Sequence, residues 1–116
     1  MTSTVEYLGD LRTTAIHLAS KKNILSDAPV DNQGKGEAFS PTDLVATSLG
    51  SCLLTMMGIK ARDMEVEIKG TTAKISKVMG STPRRISEIN ITVTMANSFD
   101  QKTQKILEKA ALSCPV

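Results

Sequence analysis

Aromatic side chains are almost missing from this 116-residue chain, which has no tryptophan, one tyrosine and two phenylalanines. Its core must therefore be aliphatic, and it offers almost no platform on which nucleic-acid bases can stack. An excess of one charge is missing as well, since 14 basic and 12 acidic residues leave a formal net charge of +2. These two shortages argue against a nucleic-acid partner.

Histidine and cysteine are also scarce. His17 is the single histidine, and the two cysteines, Cys52 and Cys114, lie far apart in the chain. No metal-ligand spacing results, so we expect neither a metal site nor a cofactor. One histidine likewise gives no basis for arguing a nucleophile–base pair.

Segments that direct a chain out of the cytoplasm are not evident. The N-terminal residues lack the basic flank and apolar run of a secretion signal. The longest apolar stretch, near residues 44–59, is interrupted by polar and small residues, and we expect it to be too short and too mixed to span a bilayer. The sequence thus predicts a cytoplasmic protein without a membrane partner, in which the cysteines form no structural disulfide.

The length fits one domain, 1–116. Its first part predicts short strands at 4–8, 11–18 and 23–26, with Gly9-Asp10 as the first turn and a polar loop after the third strand. A helix then begins, with Ser40 as N-cap, Pro41 in the first helical position and Asp43 three residues after the cap. Residues 44–59 are apolar or small on nearly every side, which is typical of a buried helix.

The second part of the chain alternates apolar and polar residues with a period of two. The pattern predicts strands at 65–69, 72–76 and 88–95, each with one buried face. Ser98 and Gln101 then form a capping box for a second helix that ends near Ser113. Strands, helix, strands and helix in this order favour an α+β fold with antiparallel sheets.

Each cysteine lies on an apolar face of a predicted helix, which leaves two interpretations open. Free cysteines are often inert core residues, and the pattern alone favours that interpretation. A reactive Cys52 would need a nearby cation, because burial raises the pKa of a thiol. Arg12, on an early strand, is our candidate for that cation, and Arg84 and Arg85 are weaker ones.

Asp43 is the acidic residue that invites a functional hypothesis. It precedes Cys52 by about 13 Å along the helix axis and lies on another side of the helix, so it cannot sit beside Cys52 of its own chain. Either Asp43 only caps the helix, or it acts through another segment or a second subunit.

Two cysteine motifs resemble those of a known family. Residues 40–52, Ser-Pro-Thr-Asp-Leu-Val-Ala-Thr-Ser-Leu-Gly-Ser-Cys, are similar to the central-helix motif of the OsmC/Ohr family of osmotically inducible and organic hydroperoxide resistance proteins. Residues 113–116, Ser-Cys-Pro-Val, resemble that family's second cysteine motif, and the loop at 27–39 fits its OsmC-like branch. The chain ends sooner after the second motif than the resemblance leads us to expect.

The resemblance implies an intertwined homodimer built around paired central helices, with active sites at the dimer interface. It implies that Cys52 is the peroxidatic thiol and Cys114 the resolving one, and it gives Asp43 a role across the subunit boundary. The partners would be a small-molecule hydroperoxide and a dithiol reductant.

From these residues we expect a thiol-dependent peroxidase that reduces organic hydroperoxides through a Cys52 sulfenic acid and a Cys52–Cys114 disulfide. One alternative is a non-enzymatic binding or redox-sensing module on the same fold, with unreactive cysteines. Another is a structural protein whose thiols are inert.

Overall fold

The fold contains two antiparallel sheets and two α-helices, in the order that the sequence predicts. The computed structural model describes all 116 residues and divides them into two compact units, Met1–Leu44 and Val45–Val116. The α+β class is therefore confirmed. The elements are β1 (Ser3–Gly9), β2 (Arg12–His17), β3 (Asn23–Asp27), α1 (Pro41–Asp63), β4 (Thr72–Gly80), β5 (Arg85–Thr94) and α2 (Gln101–Ala111).

The first unit is a three-stranded sheet in the order β1-β2-β3, with both pairs antiparallel. Its first turn lies one residue later than predicted, because Asp10 and Leu11 both have positive φ angles, 54° and 62°. Two positive φ angles in a row match the twist of a two-residue hairpin. The backbone N–H of Leu11 also donates to the hydroxyl of Tyr7 at 3.2 Å, which helps to hold leucine in this conformation.

Helix α1 begins where the sequence predicts. Ser40 Oγ accepts the backbone N–H of Asp43 at 3.1 Å, and Asp43 Oδ2 accepts the backbone N–H of Ser40 at 3.0 Å. This reciprocal pair is a capping box, which satisfies two backbone donors at the start of the helix. Ser40 is almost completely buried, so these bonds take the place of hydrogen bonds to water.

By length and composition α1 is a candidate membrane span, with 23 residues and a mean hydropathy of 1.4 over its most apolar 18-residue window. The expectation that this stretch is too short and too mixed was therefore wrong. The helix extends beyond the apolar stretch at both ends, from Pro41 to Asp63. The core helix of a soluble protein meets the same two criteria.

The burial of α1 also differs from the prediction. Only one stripe of the helix is fully buried, whereas Val45 and Ile59 are more than half exposed. The expectation of burial on nearly every side was wrong for the single chain, because too few elements exist to cover the whole helix surface. The buried stripe consists of Ala46, Gly50, Met57 and Ala61.

Gly50 marks a close approach of α1 to β4. A Cβ atom at this position would overlap the Cδ1 atom of Ile75, so a larger residue would require the end of that side chain to shift. Strands β4 and β5 pair in antiparallel register from Thr72↔Thr94 to Gly80↔Arg85. Their apolar residues alternate with exposed polar ones, as the period of two predicts.

The strand predicted at 65–69 does not form. Glu65 has a positive φ of 56°, and the N–H of Val66 donates to the carbonyl of Ala61 at 2.9 Å. The segment is thus tied to the end of α1, while Val66 and Ile68 still pack against the core. Alternation of apolar and polar residues indicates which side chains are buried, but a strand also needs hydrogen-bond partners for its backbone. Here the end of α1 provides a backbone acceptor instead of a neighbouring strand.

Helix α2 is capped by Asp100 instead of the predicted Ser98. Asp100 Oδ1 accepts the backbone N–H of Thr103 at 3.0 Å. Both residue types are good N-caps, so composition does not choose between them. The helix ends at Ala111, two residues before the predicted end at Ser113, with Leu112 as its C-cap. Its inner face completes a core of Met57, Ala61, Leu107 and Ala111.

Leu107 is the side chain on which the core of the second unit depends most, because it is fully buried. We expect Leu107→Ala to lower the free energy of unfolding by about 2–5 kcal/mol, through lost burial and the cavity left behind. Leu112→Ala is the matched control, since Leu112 is 84% exposed, and it should change stability by less than about 0.5 kcal/mol. Urea unfolding followed by circular dichroism measures both; equal losses would contradict this account of the core.

Candidate active site

The two cysteines meet in the second unit. Cys52 lies in the middle of α1, and Cys114 lies in the turn that follows α2. Both are free thiols and both are partly buried. Cys114 is the largest influence on the pKa of Cys52, so the two thiols lie close to each other. The helices therefore bring together two sulfur atoms from distant parts of the sequence.

Backbone hydrogen bonds hold the segment that carries Cys114. The N–H of Ser113 donates to the carbonyl of Ala110 at 3.1 Å, and the N–H of Cys114 donates to that of Ala111 at 3.3 Å. Pro115 has no N–H and so cannot continue this pattern. The chain turns instead, and the N–H of Val116 donates to the sulfur of Cys114 at 3.4 Å.

The environment of Cys52 favours the neutral thiol. The contact with Cys114 raises the pKa of Cys52 most, and burial raises it further. The backbone N–H of Val116 lowers the same pKa, but the net shift is upward. Since the thiolate is the nucleophilic form, the pair needs a further stabilising influence on its negative charge if it is to react at neutral pH.

Arg12, our candidate for that influence, makes strong contacts within its own sheet. Its Nε and one terminal nitrogen donate to the two carboxylate oxygens of Asp27 at 3.2 and 3.0 Å, and Glu37 lies 3.7 Å from that terminal nitrogen. Asp27 also accepts the backbone N–H of Glu37 at 3.0 Å. The guanidinium thus holds β2, β3 and the following loop together.

The fully buried carboxylate of Asp27 is a residue that the sequence did not single out. It appeared as the first residue of a polar loop, although it pairs directly with Arg12 across the β2–β3 ladder. The bonds from Arg12 lower its pKa most, and burial opposes that shift. A basic residue at the start of one strand and an acidic residue at the end of the next are common in sequences. They do not reveal an ion pair unless the register of the two strands is known.

The other predicted candidates have local roles. Asp43 belongs to the capping box of α1, nine positions before Cys52 and about 13 Å from it along the axis. Arg85 donates to the carbonyls of Ser81 and Pro83 at 2.9 and 3.1 Å and so closes the β4–β5 turn. No group of three or more histidine, cysteine, aspartate or glutamate residues is arranged to hold a metal ion.

A groove of about 640 Å³ lies between α1 and α2, and two of its lining residues are near the cysteines in the sequence. Met56 follows Cys52 by one helical turn, and Ser113 immediately precedes Cys114. The floor is apolar, whereas two lysines and an aspartate add charge to the lining. The lining residues are Met56, Ile59, Lys60, Asp63, Met64, Ile106, Lys109, Ala110 and Ser113.

Comparison with known proteins identifies relatives of this chain. The OsmC-like protein family matches residues 34–116. None of the curated proteins matches the sequence. A crystal structure from Psychrobacter arcticus 273-4, of a protein described as a candidate osmotic stress induced and detoxification response protein, is 64% identical with a TM-score of 0.96. That match covers 99% of this chain and 84% of the relative.

More distant structures share the fold. An organic hydroperoxide resistance protein OsmC from Legionella pneumophila is 14% identical with a TM-score of 0.69, and the match covers 99% of this chain and 85% of that one. An organic hydroperoxide resistance protein from Elizabethkingia anophelis is 15% identical with a TM-score of 0.72, covering 99% and 84%. At these identities the likeness concerns the fold alone.

The ion pair of Arg12 and Asp27 predicts how the stability of the protein depends on pH. Because the pKa of Asp27 is lowered in the folded protein, its stabilising effect is complete above the ordinary value of 3.8 and is lost as the pH falls through the folded value. We expect Asp27→Asn to be less stable than the parent at neutral pH and to lose less stability on acidification.

Urea unfolding at pH values from about 6 down to about 2 measures this difference. Glu6→Gln is the control, because Glu6 is an exposed carboxyl on β1. Asp100, whose pKa is lowered by Thr103, contributes acid sensitivity that remains in Asp27→Asn. An equal loss of stability on acidification in the parent and in Asp27→Asn would contradict the assignment.

Proposed function

Because this chain belongs to the OsmC family, we propose that it is a thiol peroxidase that reduces organic hydroperoxides with Cys52 and Cys114. The observation that carries the proposal is the proximity of the two thiols, one in the middle of α1 and the other after α2, since Cys114 is the largest influence on the pKa of Cys52. Two inert core cysteines need not meet, whereas a peroxidatic and a resolving thiol must. Organic hydroperoxide resistance proteins are among the structures that share the fold, and the proposal takes its substrate class from that name.

The proposed cycle has three steps. The Cys52 thiolate attacks one oxygen of the hydroperoxide; the O–O bond breaks, the alkoxide takes up a proton to become an alcohol, and Cys52 becomes a sulfenic acid. The Cys114 thiol then displaces the sulfenic hydroxyl as water, forming the Cys52–Cys114 disulfide. An external dithiol reduces this disulfide by two exchange steps and is itself oxidised to a disulfide.

In this proposal Arg12 and Asp43 are positioning residues for the reacting thiol. Within its own unit, Arg12 binds Asp27 through Nε and one terminal nitrogen. Asp43 stabilises the start of the helix that carries Cys52, and in a dimer it serves the site of the other subunit. Residue types and the family resemblance support both roles.

The groove between α1 and α2 suits a substrate with a hydrocarbon part. Met56, Ile59 and Ile106 are among the residues that line it, and burying a hydrocarbon chain against such side chains is favourable. Hydrogen peroxide has no such part and would gain nothing from the groove. We therefore assign the preference to organic hydroperoxides.

A second copy of the chain completes the proposal. Val45 and Ile59 leave apolar surface of α1 exposed, which a cytoplasmic protein normally covers. We propose a homodimer in which paired central helices cover this surface, as the family resemblance implies. A membrane would also accept an apolar helix, but residues 60–63 carry three charges and make a buried span less favourable.

A non-enzymatic binding or redox-sensing module is the second candidate, and the raised pKa of Cys52 favours it. A thiol that stays protonated at neutral pH reacts slowly with peroxides and with alkylating agents alike. The two candidates therefore differ in what they predict for the thiols under excess peroxide.

The peroxidase proposal predicts the products of a single reaction. Reduced protein mixed with a small excess of tert-butyl hydroperoxide should lose both thiols and two hydrogen atoms, measured by thiol titration and intact mass spectrometry. Cys114→Ser should instead accumulate Cys52 sulfenic acid, which dimedone traps, because no resolving thiol remains. Cys52→Ser should stay unchanged in mass.

Each outcome distinguishes the candidates. Full peroxide consumption by Cys52→Ser would end the assignment of Cys52. Unchanged thiols in the parent protein under excess peroxide would end the peroxidase proposal and leave the binding module. Hydrogen peroxide at the same concentration is the substrate control and should react more slowly.

The dimer proposal predicts that sedimentation equilibrium will give twice the mass of one chain. Ile59→Glu should shift the equilibrium strongly toward the monomer, because it places a charge on the face that the partner covers. Leu112→Glu changes an equally apolar, exposed side chain outside α1 and should leave the dimer intact. A monomeric parent protein would contradict the proposal.

A further inference from the structure

Two methionines line the groove between α1 and α2, and the cycle proposed for the cysteines does not use them. Met56 and Met64 are both partly buried, and both belong to the lining of the groove. Met57, the next residue after Met56, is only 2% exposed and lies in the core. A molecule in the groove therefore meets the thioether of Met56 but not that of Met57.

Cationic side chains accompany these thioethers. Met56, Lys60 and Met64 follow one another at intervals of four residues along α1, so they stand on the same face of the helix. Lys109 of α2 lines the same groove. Asp63 lines it as well, but neither lysine forms an ion pair with a carboxylate. The groove thus combines thioether sulfurs with ammonium groups that can donate to an oxygen.

We propose that Met56 is an oxidation site, which takes an oxygen atom from organic hydroperoxides held in the groove. This proposal rests on the proposed function only in assigning organic hydroperoxides to the groove. The Met56 sulfur attacks one oxygen of the hydroperoxide, and the O–O bond breaks as the S–O bond forms. The proton on that oxygen passes to the departing alkoxide. The products are a methionine sulfoxide and an alcohol, and no further reactant is required.

The lysines of the groove assist this step. Negative charge develops on the alkoxide while the O–O bond breaks, and the ammonium groups of Lys60 and Lys109 can donate to that oxygen. The sulfoxide oxygen is afterwards an acceptor for the same donors. Both the reaction and its product are therefore favoured on the face of α1 that carries Met56.

Oxidation of Met56 changes what the groove binds. The thioether is apolar, whereas the sulfoxide is polar. A hydrocarbon chain that packs against the sulfoxide must displace the water or the lysine bound to its oxygen, which costs free energy. Excess hydroperoxide thus lowers the affinity of the groove for its own hydrocarbon part. The change is reversible, because methionine sulfoxide reductases restore the thioether.

The first test compares two peroxides on protein that lacks the reactive thiols. Cys52→Ser/Cys114→Ser is treated with cumene hydroperoxide or hydrogen peroxide, with N-acetylmethionine in the same solution as the reference. Tandem mass spectrometry follows each methionine. Relative to the reference, we expect Met56 to react about tenfold faster with cumene hydroperoxide than with hydrogen peroxide, because the groove binds only the former through a hydrocarbon part. Met57 should stay unmodified with both peroxides.

Cumyl alcohol is the competitor, since it has the same hydrocarbon part and no oxidising oxygen. It should slow the oxidation of Met56 by hydrogen peroxide and leave the reference unaffected. The same rate of Met56 relative to the reference with both peroxides would overturn the proposal. Oxidation of Met57 as fast as Met56 would overturn it too, provided that circular dichroism shows the protein to be folded.

Two substitutions measure the effect of the sulfoxide on binding. Met56→Gln places a polar side chain of similar length in the groove, whereas Met56→Leu keeps an apolar one that cannot be oxidised and is the matched control. The methyl NMR signal of Met64 reports the binding of cumyl alcohol. We expect the affinity to be about tenfold lower in Met56→Gln and unchanged in Met56→Leu. Equal affinities in the two variants would contradict the proposed effect on the groove.

These results are independent of those that test the peroxidase proposal. If the thiols of the parent protein ignore hydroperoxides while Met56 keeps its preference, the peroxidase proposal fails and the oxidation site stands. If the thiols are oxidised while Met56 shows no preference, the oxidation site fails and the peroxidase proposal stands.

Discussion

The packing of α1 against β4, β5 and α2 is the constraint on which the second unit depends. Its buried stripe is made of small residues, with Met57 as the one large side chain, and Gly50 lets the helix pass close to Ile75. Leu107 fills the space between the helices. Because these contacts fix how α2 lies along α1, they also decide that the thiols of Cys52 and Cys114 meet. The chemistry of the site is thus a consequence of helix packing.

The first unit depends on a different interaction, the buried ion pair of Arg12 and Asp27. Asp27 has almost no contact with water, so its charge is tolerable only because the guanidinium and the N–H of Glu37 bind it. This contact explains why the obvious candidate for an activating cation is already engaged.

A raised pKa of Cys52 is compatible with the proposed peroxidase if a substrate or a second subunit supplies a group that stabilises the thiolate. The contact with Cys114 and burial both raise the pKa of Cys52, which favours the neutral thiol. Desolvation by a bound hydrocarbon chain or by a partner helix would raise this pKa further, so activation needs a group that binds the thiolate. The exposed apolar surface of α1 and the groove beside it lie where such changes would act.

Local patterns in the sequence determined the start of α1, the alternating strands β4 and β5, the α+β order and the two cysteine motifs that resemble those of the family. Capping residues, period-two alternation and cysteine motifs are properties of neighbouring residues, so they can be read without a structure. The failed strand at 65–69, the cap at Asp100, the exposed side of α1 and the burial of Asp27 were decided only in three dimensions. Each of these features depends on which distant residues form hydrogen bonds with the segment or cover its side chains. The packing of the whole chain decides that.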